Sequence, residues 1–268
     1  MGVSGSSRAS LNDFHRGFLR SCVLSTTGVG VDSPSWRMVE RIDVADTRLA
    51  RELIDDSDTP AAGELAAPAL TRLEVLTGLD ASCLQVVLDG PDKPRLRELA
   101  FSGPWLEEAR GQQEQRQVLS LTRFPGLKVL GLVPTRLSAQ DWRPVRQRAD
   151  SLAWLFEAPL IRQLERLRLW LEMPFDVAGV HALLGQQRLG HLRVELANTG
   201  LTLVMDESWL TVRFDNEFWL GQRAQPMRNL AAHFAPFPYP RFDVQVGGRR
   251  ATRDELARLG DVYIAHAT

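Results

Sequence analysis

A short hydrophobic pattern recurs along this chain: an apolar residue, two variable residues, a second apolar residue, one variable residue and a third apolar residue. It appears as Val39-Glu40-Arg41-Ile42-Asp43-Val44, then Leu70-Thr71-Arg72-Leu73-Glu74-Val75, Leu96-Arg97-Glu98-Leu99-Ala100-Phe101 and Leu127-Lys128-Val129-Leu130-Gly131-Leu132. It returns as Leu164-Glu165-Arg166-Leu167-Arg168-Leu169 and Leu189-Gly190-His191-Leu192-Arg193-Val194. The starts are 31, 26, 31, 37 and 25 residues apart. One such match means little in a leucine-rich chain, whereas six in series predict a repeat architecture. Each unit would place a short strand whose apolar side chains enter the interior, and neighbouring units would stack to bury a continuous core.

The intervening segments carry helical patterns. Asp46–Asp56 presents Leu49, Leu53 and Ile54 on one face. Asp80 is placed to cap a helix with Leu84, Val87 and Leu88, and Ser138 with Asp141 to open one with Val145, Leu152, Leu155 and Phe156. Asp176 is placed to start another with Val180, Leu183 and Leu184. Pro68, Pro94 and Pro125 each precede a pattern start by two residues, a position where proline ends a helix and favours extended backbone before it. The run Leu106–Leu121, with Gln112-Gln113-Glu114-Gln115-Arg116-Gln117, interrupts the series and reads as a solvated helix or loop, or as a partner-contacting insertion.

After residue 196 the period changes to two. Leu201–Met205 and Trp209–Phe214 read as strands joined through Asp206-Glu207-Ser208, with Asn198-Thr199-Gly200 as a tight turn before them. Pro236-Phe237-Pro238-Tyr239-Pro240 reads as a stiff linker. Phe242–Val246 reads as a strand ending at Gly247-Gly248, and Thr252-Arg253-Asp254-Glu255 as a capping box opening a helix that stops at Gly260. The expected fold is therefore α/β: an irregular leucine-rich-repeat solenoid, with parallel strands on its concave face and helices on its convex face, and a small α+β C-terminal cap. The expected divisions are an N-terminal cap segment over 1–35, the solenoid over 36–196 and the C-terminal extension over 197–268.

The composition fits this pattern. The chain has 268 residues, 40 of them leucine, and 30 of those fall between residues 36 and 196, so the excess belongs to the repeats. Of 32 basic residues 30 are arginine, against 33 acidic residues, for a formal charge of −1. That balance argues against a dedicated nucleic-acid binder. Cys22 and Cys83 form no disulfide framework and read as buried thiols. No apolar run is long enough to span a membrane, and the N-terminus carries no secretory pattern. Met1-Gly2-Val3-Ser4-Gly5-Ser6 meets the loose myristoylation pattern but reads better as a flexible start. A cytoplasmic bacterial protein is expected.

Three segments carry a family likeness: His15-Arg16-Gly17-Phe18-Leu19, Trp36-Arg37-Met38-Val39-Glu40-Arg41-Ile42-Asp43-Val44, and Ala67-Pro68-Ala69-Leu70 leading into Leu73-Glu74-Val75. Over residues 14–215 the chain resembles bacterial leucine-rich-repeat proteins of the type associated with the repeat-companion domain. It departs from them in that the acidic, helical companion domain usually preceding the arginine-glycine-phenylalanine start is expected to be absent. The resemblance implies a non-enzymatic solenoid and supplies no catalytic residues.

Candidate chemistry is sparse. His15, His181, His191, His233 and His266 show no metal-ligand spacing, and Gly28-Val29-Gly30 lacks the Lys-Ser/Thr of a phosphate loop. Asp55, Asp56 and Asp58 do not have calcium-loop offsets. No catalytic, cofactor or metal site is expected. The variable strand positions define the expected concave face: Arg41, Asp43, Arg72, Glu74, Glu98, Ala100, Val129, Gly131, Arg166, Arg168, Trp170, Arg193 and Glu195. Arg72, Glu74, Glu98, Arg166, Arg168, Trp170, Arg193 and Glu195 are the candidate protein-binding residues, centred on Arg166, Arg168 and Trp170, because arginine and tryptophan most often anchor interfaces. The plainer reading is a solvated face whose Arg–Glu pairs contribute little. The expected function is a protein-interaction module or scaffold subunit of a larger bacterial assembly. One alternative is a small enzyme or nucleotide binder with its site in residues 200–268, and another is an adaptor or immunity component of a bacterial defence or toxin system.

Overall fold

The computed structural model describes residues 13–15, 18–24, 38–44, 72–80, 94–102, 124–132, 149–171, 173, 175–234 and 241–266. The expected helices at Asp46–Asp56 and Leu84–Leu88, the glutamine-rich run, the helix start at Ser138, the linker Pro236–Pro240 and Cys83 lie outside these residues. The architecture is mixed α/β, and the chain divides into two compact units. The first takes Met1–Trp105 and Leu121–Trp142, the second Leu106–Ser120 and Arg143–Thr268. Among the described residues no helix is long and apolar enough to cross a membrane.

The first unit holds β1 (Asp13–His15), β2 (Phe18–Leu24), β3 (Arg41–Val44), β4 (Val75–Asp80), β5 (Glu98–Ser102) and β6 (Val129–Leu132). β1 and β2 form an antiparallel pair, and β2 through β6 pair in parallel, each with the next in sequence. Ile42, Leu76, Leu99 and Leu130 lie in one row and are all buried. A second regularity lies in the backbone just before each strand. The Glu40 carbonyl accepts from the amides of Glu74 and Val75, that of Glu74 from Arg97 and Glu98, and that of Arg97 from Lys128 and Val129. The same fork, made three times at the same place in the pattern, sets the register of four successive strands.

That register corrects the sequence reading at β4. Leu76, not Leu73, lies opposite Ile42 and Leu99. The pattern therefore starts at Leu73 and runs Leu73-Glu74-Val75-Leu76-Thr77-Gly78, three residues later than expected. An odd shift exchanges the two faces of a strand. Pro68, two residues before Leu70, suggested the earlier start, but the offset holds only at Pro94 and Pro125. The third apolar position is Gly78, at φ +84°, where β4 bulges against β5 between Leu76 and Leu79. A glycine in the left-handed region is what such a bulge requires. Gly126 is constrained by proximity, since a Cβ there would lie 2.7 Å from the Pro94 carbonyl oxygen of the preceding turn.

The second unit holds α1 (Ala149–Glu157), a 3-10 turn (Pro159–Gln163), β7 (Arg166–Trp170), α2 (Val177–Gln186), β8 (Arg193–Asn198), β9 (Leu201–Met205) and β10 (Trp209–Phe214). It continues with α3 (Glu217–Phe234), β11 (Arg241–Val246), β12 (Arg249–Arg250), α4 (Arg253–Leu259) and α5 (Asp261–His266). β7 and β8 are parallel, β8–β9–β10 is an antiparallel meander, and β10 and β11 are parallel with α3 between them. β11 turns into β12 through Gly247 and Gly248 at φ +59° and +82°, the geometry of a tight primed hairpin. The expected boundary after residue 196 falls inside β8.

Along β7 and β8 burial alternates with period two, and on β9 and β10 Val204 and Thr211 of the opposite face are buried as well. Leu167 and Leu169, Val194 and Leu196, Leu201, Leu203 and Met205, then Leu210, Val212 and Phe214 all enter the core. Leu152, Leu155 and Phe156 of α1, Val177, Val180, Leu183 and Leu184 of α2, and Leu220, Ala224 and Met227 of α3 are buried with them. Asp176 caps α2 as expected, accepting from the Gly179 amide at 3.0 Å. Leu167 faces Val194, so the pattern at Leu189 is displaced by two residues relative to that at Leu164. An even displacement keeps Arg193 and Glu195 on their expected face.

Candidate functional site

The sheet face opposite that core carries the functional candidates of the second unit. Arg166, Arg168 and Trp170 alternate with the buried leucines of β7, and Arg193, Glu195 and Ala197 alternate with the buried positions of β8. Three rows cross the strands. Arg166 lies beside Arg193, Arg168 beside Glu195, and Trp170 beside Ala197. The rows continue over the meander: Glu195 faces Val204, which faces Thr211, and Ala197 faces Thr202, which faces Arg213. Ala197, Thr202, Val204 and Thr211 thus lie in the middle of this face, with Val204 and Thr211 buried, and arginine and tryptophan stand around them.

Glu195 is the shared counter-ion. Its Oε2 accepts from Arg168 Nε at 3.0 Å, and its Oε1 lies 3.3 Å from Arg166 Nε. The arginine side chains are 38% and 31% exposed and the glutamate 15%, so the pairs are only partly desolvated and each contributes at most about 1 kcal/mol. Arg193 lies over the Trp209 ring, with its guanidinium carbon 5.6 Å from the centroid. Among the described residues neither Arg193 nor Arg213 has an ion-pair partner. Trp170 Nε1 is buried with no hydrogen-bond partner, an arrangement that costs about 1–3 kcal/mol.

The candidates of the first unit are placed differently. Arg72 is exposed in the turn before β4, and Glu74 precedes the strand and acts through its backbone in the fork described above. The β4 positions that share a row with the neighbouring strands' variable positions are Val75, between Arg41 and Glu98, and Thr77, opposite Asp43. Thr77 Oγ1 donates to Asp43 Oδ1 at 3.1 Å, and Arg41 Nη2 is 3.9 Å from Glu98 Oε2 across Val75. The register shift is the physical reason that Arg72 and Glu74 do not stand with Glu98.

The sequence reading did not assign Trp209, Thr211 and Arg213 to this face. It recognised β10 as a strand but treated it as a cap, although alternation along Trp209–Phe214 already separates Trp209, Thr211 and Arg213 from Leu210, Val212 and Phe214.

Two further polar clusters brace the second unit. Asn198, buried at the β8–β9 turn, donates from Nδ2 to the Leu171 carbonyl at 2.6 Å and accepts from Arg223 Nη2 at 3.0 Å. Arg223 also lies over Trp219, 5.5 Å from its centroid, and Trp219 covers Gly200. At the other end, Arg249 grips both carboxylate oxygens of Glu255 at 2.8 and 2.7 Å, and the Thr252 amide donates to Oε2 at 2.8 Å. The expected capping box is formed in full.

His181 Nε2 is 3.1 Å from the Glu207 carbonyl oxygen, and His191 Nε2 is 2.9 Å from that of Arg162. Among the described residues no group of three His, Cys, Asp or Glu side chains is placed to hold a metal ion. Comparison with protein families, with curated proteins and with solved structures finds no match.

Proposed function

We propose that this chain is a non-enzymatic interaction module, a cytoplasmic leucine-rich-repeat solenoid of irregular repeat length, and that the β7–β10 face of its second unit docks a protein partner or a neighbouring subunit of a bacterial assembly. The observation that carries the reading is the convergence of Arg166, Arg168, Trp170, Arg193 and Trp209 around a floor of Ala197, Thr202, Val204 and Thr211. Arginine and tryptophan are enriched among the few residues that dominate binding energy where interfaces have been dissected. The forked backbone register of β3–β6 supports the repeat reading.

The test is affinity capture of the full chain from its native host, read by mass spectrometry, with wild type and an Arg168→Ala/Trp170→Ala variant in parallel. A stoichiometric protein partner that the variant loses is the expected result. Recovery of no stoichiometric partner contradicts the module reading, and a partner held equally by both moves the site away from this face.

A further inference from the structure

We infer that the chain pairs with a second copy of itself through the outer side of α3, the two helices lying antiparallel about a two-fold axis. This surface is distinct from the β7–β10 face, which is the opposite side of the sheet from the helices.

The first argument is what α3 exposes. Leu220, Ala224 and Met227 turn one side of the helix into the core. At about 100° per residue, Phe218, Gln222, Gln225 and Asn229 fall within about 60° of one another on the opposite side, and all four are exposed. Phe218 is 63% exposed, the one large apolar side chain standing so far into solvent among the described residues. Its ring is held edge-on against Trp219, with centroids 5.2 Å apart. Gln225 Nε2 donates to Asn229 Oδ1 at 3.2 Å, which aligns two of the amides. The stripe holds no charged residue, although 24% of the chain is charged. An aromatic anchor among uncharged positions is the composition of an interface core.

The second argument is register. Phe218 and Asn229 are equally far from the midpoint between Gln222 and Gln225. In an antiparallel pair centred there, Phe218 covers Asn229 of the second copy, and Gln222 meets Gln225 of the second copy.

The third argument is charge. Glu217 and Arg228 lie on the same flank of the stripe, towards α4. Glu217 Oε1 is 3.4 Å from Arg249 Nη2, and Arg228 Nε donates to the Arg258 carbonyl oxygen at 3.1 Å. The N-terminal end of this surface is acidic, with Asp215 and Glu217, and its second half is basic, with Arg228 and Arg258 alongside. The two-fold axis sets each acidic end beside the basic half of the other copy, Glu217 falling within about 3 Å along the axis of Arg228 of the second copy. A parallel pair would set like charges together. One register that matches both the uncharged stripe and the charged flank favours a second copy over an unlike partner.

The test is sedimentation velocity of the full chain between about 1 and 100 µM, a range that brackets the micromolar dissociation expected of an interface smaller than the standard size. A monomer–dimer equilibrium is expected, weakening as salt rises. Phe218→Asp weakens it at least about tenfold, the size of loss common at an aromatic anchor. Gln222→Glu, which brings two like charges near the axis, weakens it as well. Glu217→Arg and Arg228→Glu each weaken the dimer, and the two together restore it, because the pair re-forms with its signs exchanged. Circular dichroism melts check that the variants, all at exposed positions, keep the fold. A monomer at every concentration, a dimer unaffected by both Phe218→Asp and Gln222→Glu, or a charge-exchanged double variant no tighter than either single one overturns the inference.

Discussion

Arg193 on β8 reaches across the edge of β9 to Trp209 on β10, its guanidinium carbon 5.6 Å from the ring centroid. The contact joins the first and last strands of the β8–β9–β10 meander, so β10 belongs to the candidate face as well as to the core. Replacing Trp209 by Ala removes the ring that orients Arg193. Such a contact contributes about 0.5–1 kcal/mol where it is partly exposed. The expected stability loss is correspondingly small, while partner affinity falls more steeply. Chemical denaturation beside a binding titration checks the split, and a large stability loss with unchanged affinity would make Trp209 a packing residue only.

Gly200 tests the brace at the β8–β9 turn. Its φ is +75°, and a Cβ there would overlap the ring of Trp219. Gly200→Ala must displace Trp219, and with it Arg223 and its bonds to Asn198 and Thr199. Left-handed strain and overpacking each cost about 1–3 kcal/mol. A loss of several kcal/mol in urea unfolding is expected, and one under about 1 kcal/mol would show that the turn relaxes freely.

The register of β4 predicts opposite behaviour for two adjacent residues. Leu76 is 1% exposed, in the row of Ile42 and Leu99, whereas Val75 is half-buried between Arg41 and Glu98. Leu76→Ala is expected to cost about 2–5 kcal/mol and Val75→Ala about 1 kcal/mol or less. Paired thermal melts decide. The reverse order would restore the earlier start at Leu70.

Glu255 makes the C-terminal end of the second unit acid-sensitive. Two hydrogen bonds from Arg249 lower its pKa from 4.5 to about 2, with the Thr252 amide and hydroxyl adding to the effect and burial opposing it. A carboxylate depressed in the folded state contributes stability that is fully present above its unfolded pKa and lost as pH falls through the folded one. Stability is therefore expected to fall between pH 4.5 and about 2, and Glu255→Gln to flatten that part of the curve while costing about 1–2 kcal/mol at neutral pH. Denaturation midpoints across that range measure it. An unchanged slope in the variant would place the acid sensitivity elsewhere.

Much of the second unit was legible because its signals are local. Period two in Leu201–Met205 and Trp209–Phe214 yields β9 and β10, and the polar caps Asp176 and Thr252 mark α2 and α4. α3 escaped notice because Gly221 and Pro226 interrupt it, and up to Asn229 its buried stripe is Leu220, Ala224 and Met227. α5 is a single short helix whose anchor is Tyr263, a buried ring whose hydroxyl donates to the Met227 carbonyl 36 residues earlier, a partner that no local pattern shows. The register of β4 depends on which carbonyl of β3 its amides find, which is again a non-local fact. The candidate face was half legible: alternation placed Arg166, Arg168, Trp170, Arg193 and Glu195, but Trp209 and Arg213 become neighbours of these only through the antiparallel return of β9.

The most direct measurement of the central claim is photo-crosslinking in the native host, with a photoreactive amino acid at Thr202, in the floor of the β7–β10 face, or at Gln186, on the exposed side of α2. The account predicts a discrete protein adduct from position 202 and none from position 186. An adduct from position 186 alone, or none from either, would contradict it.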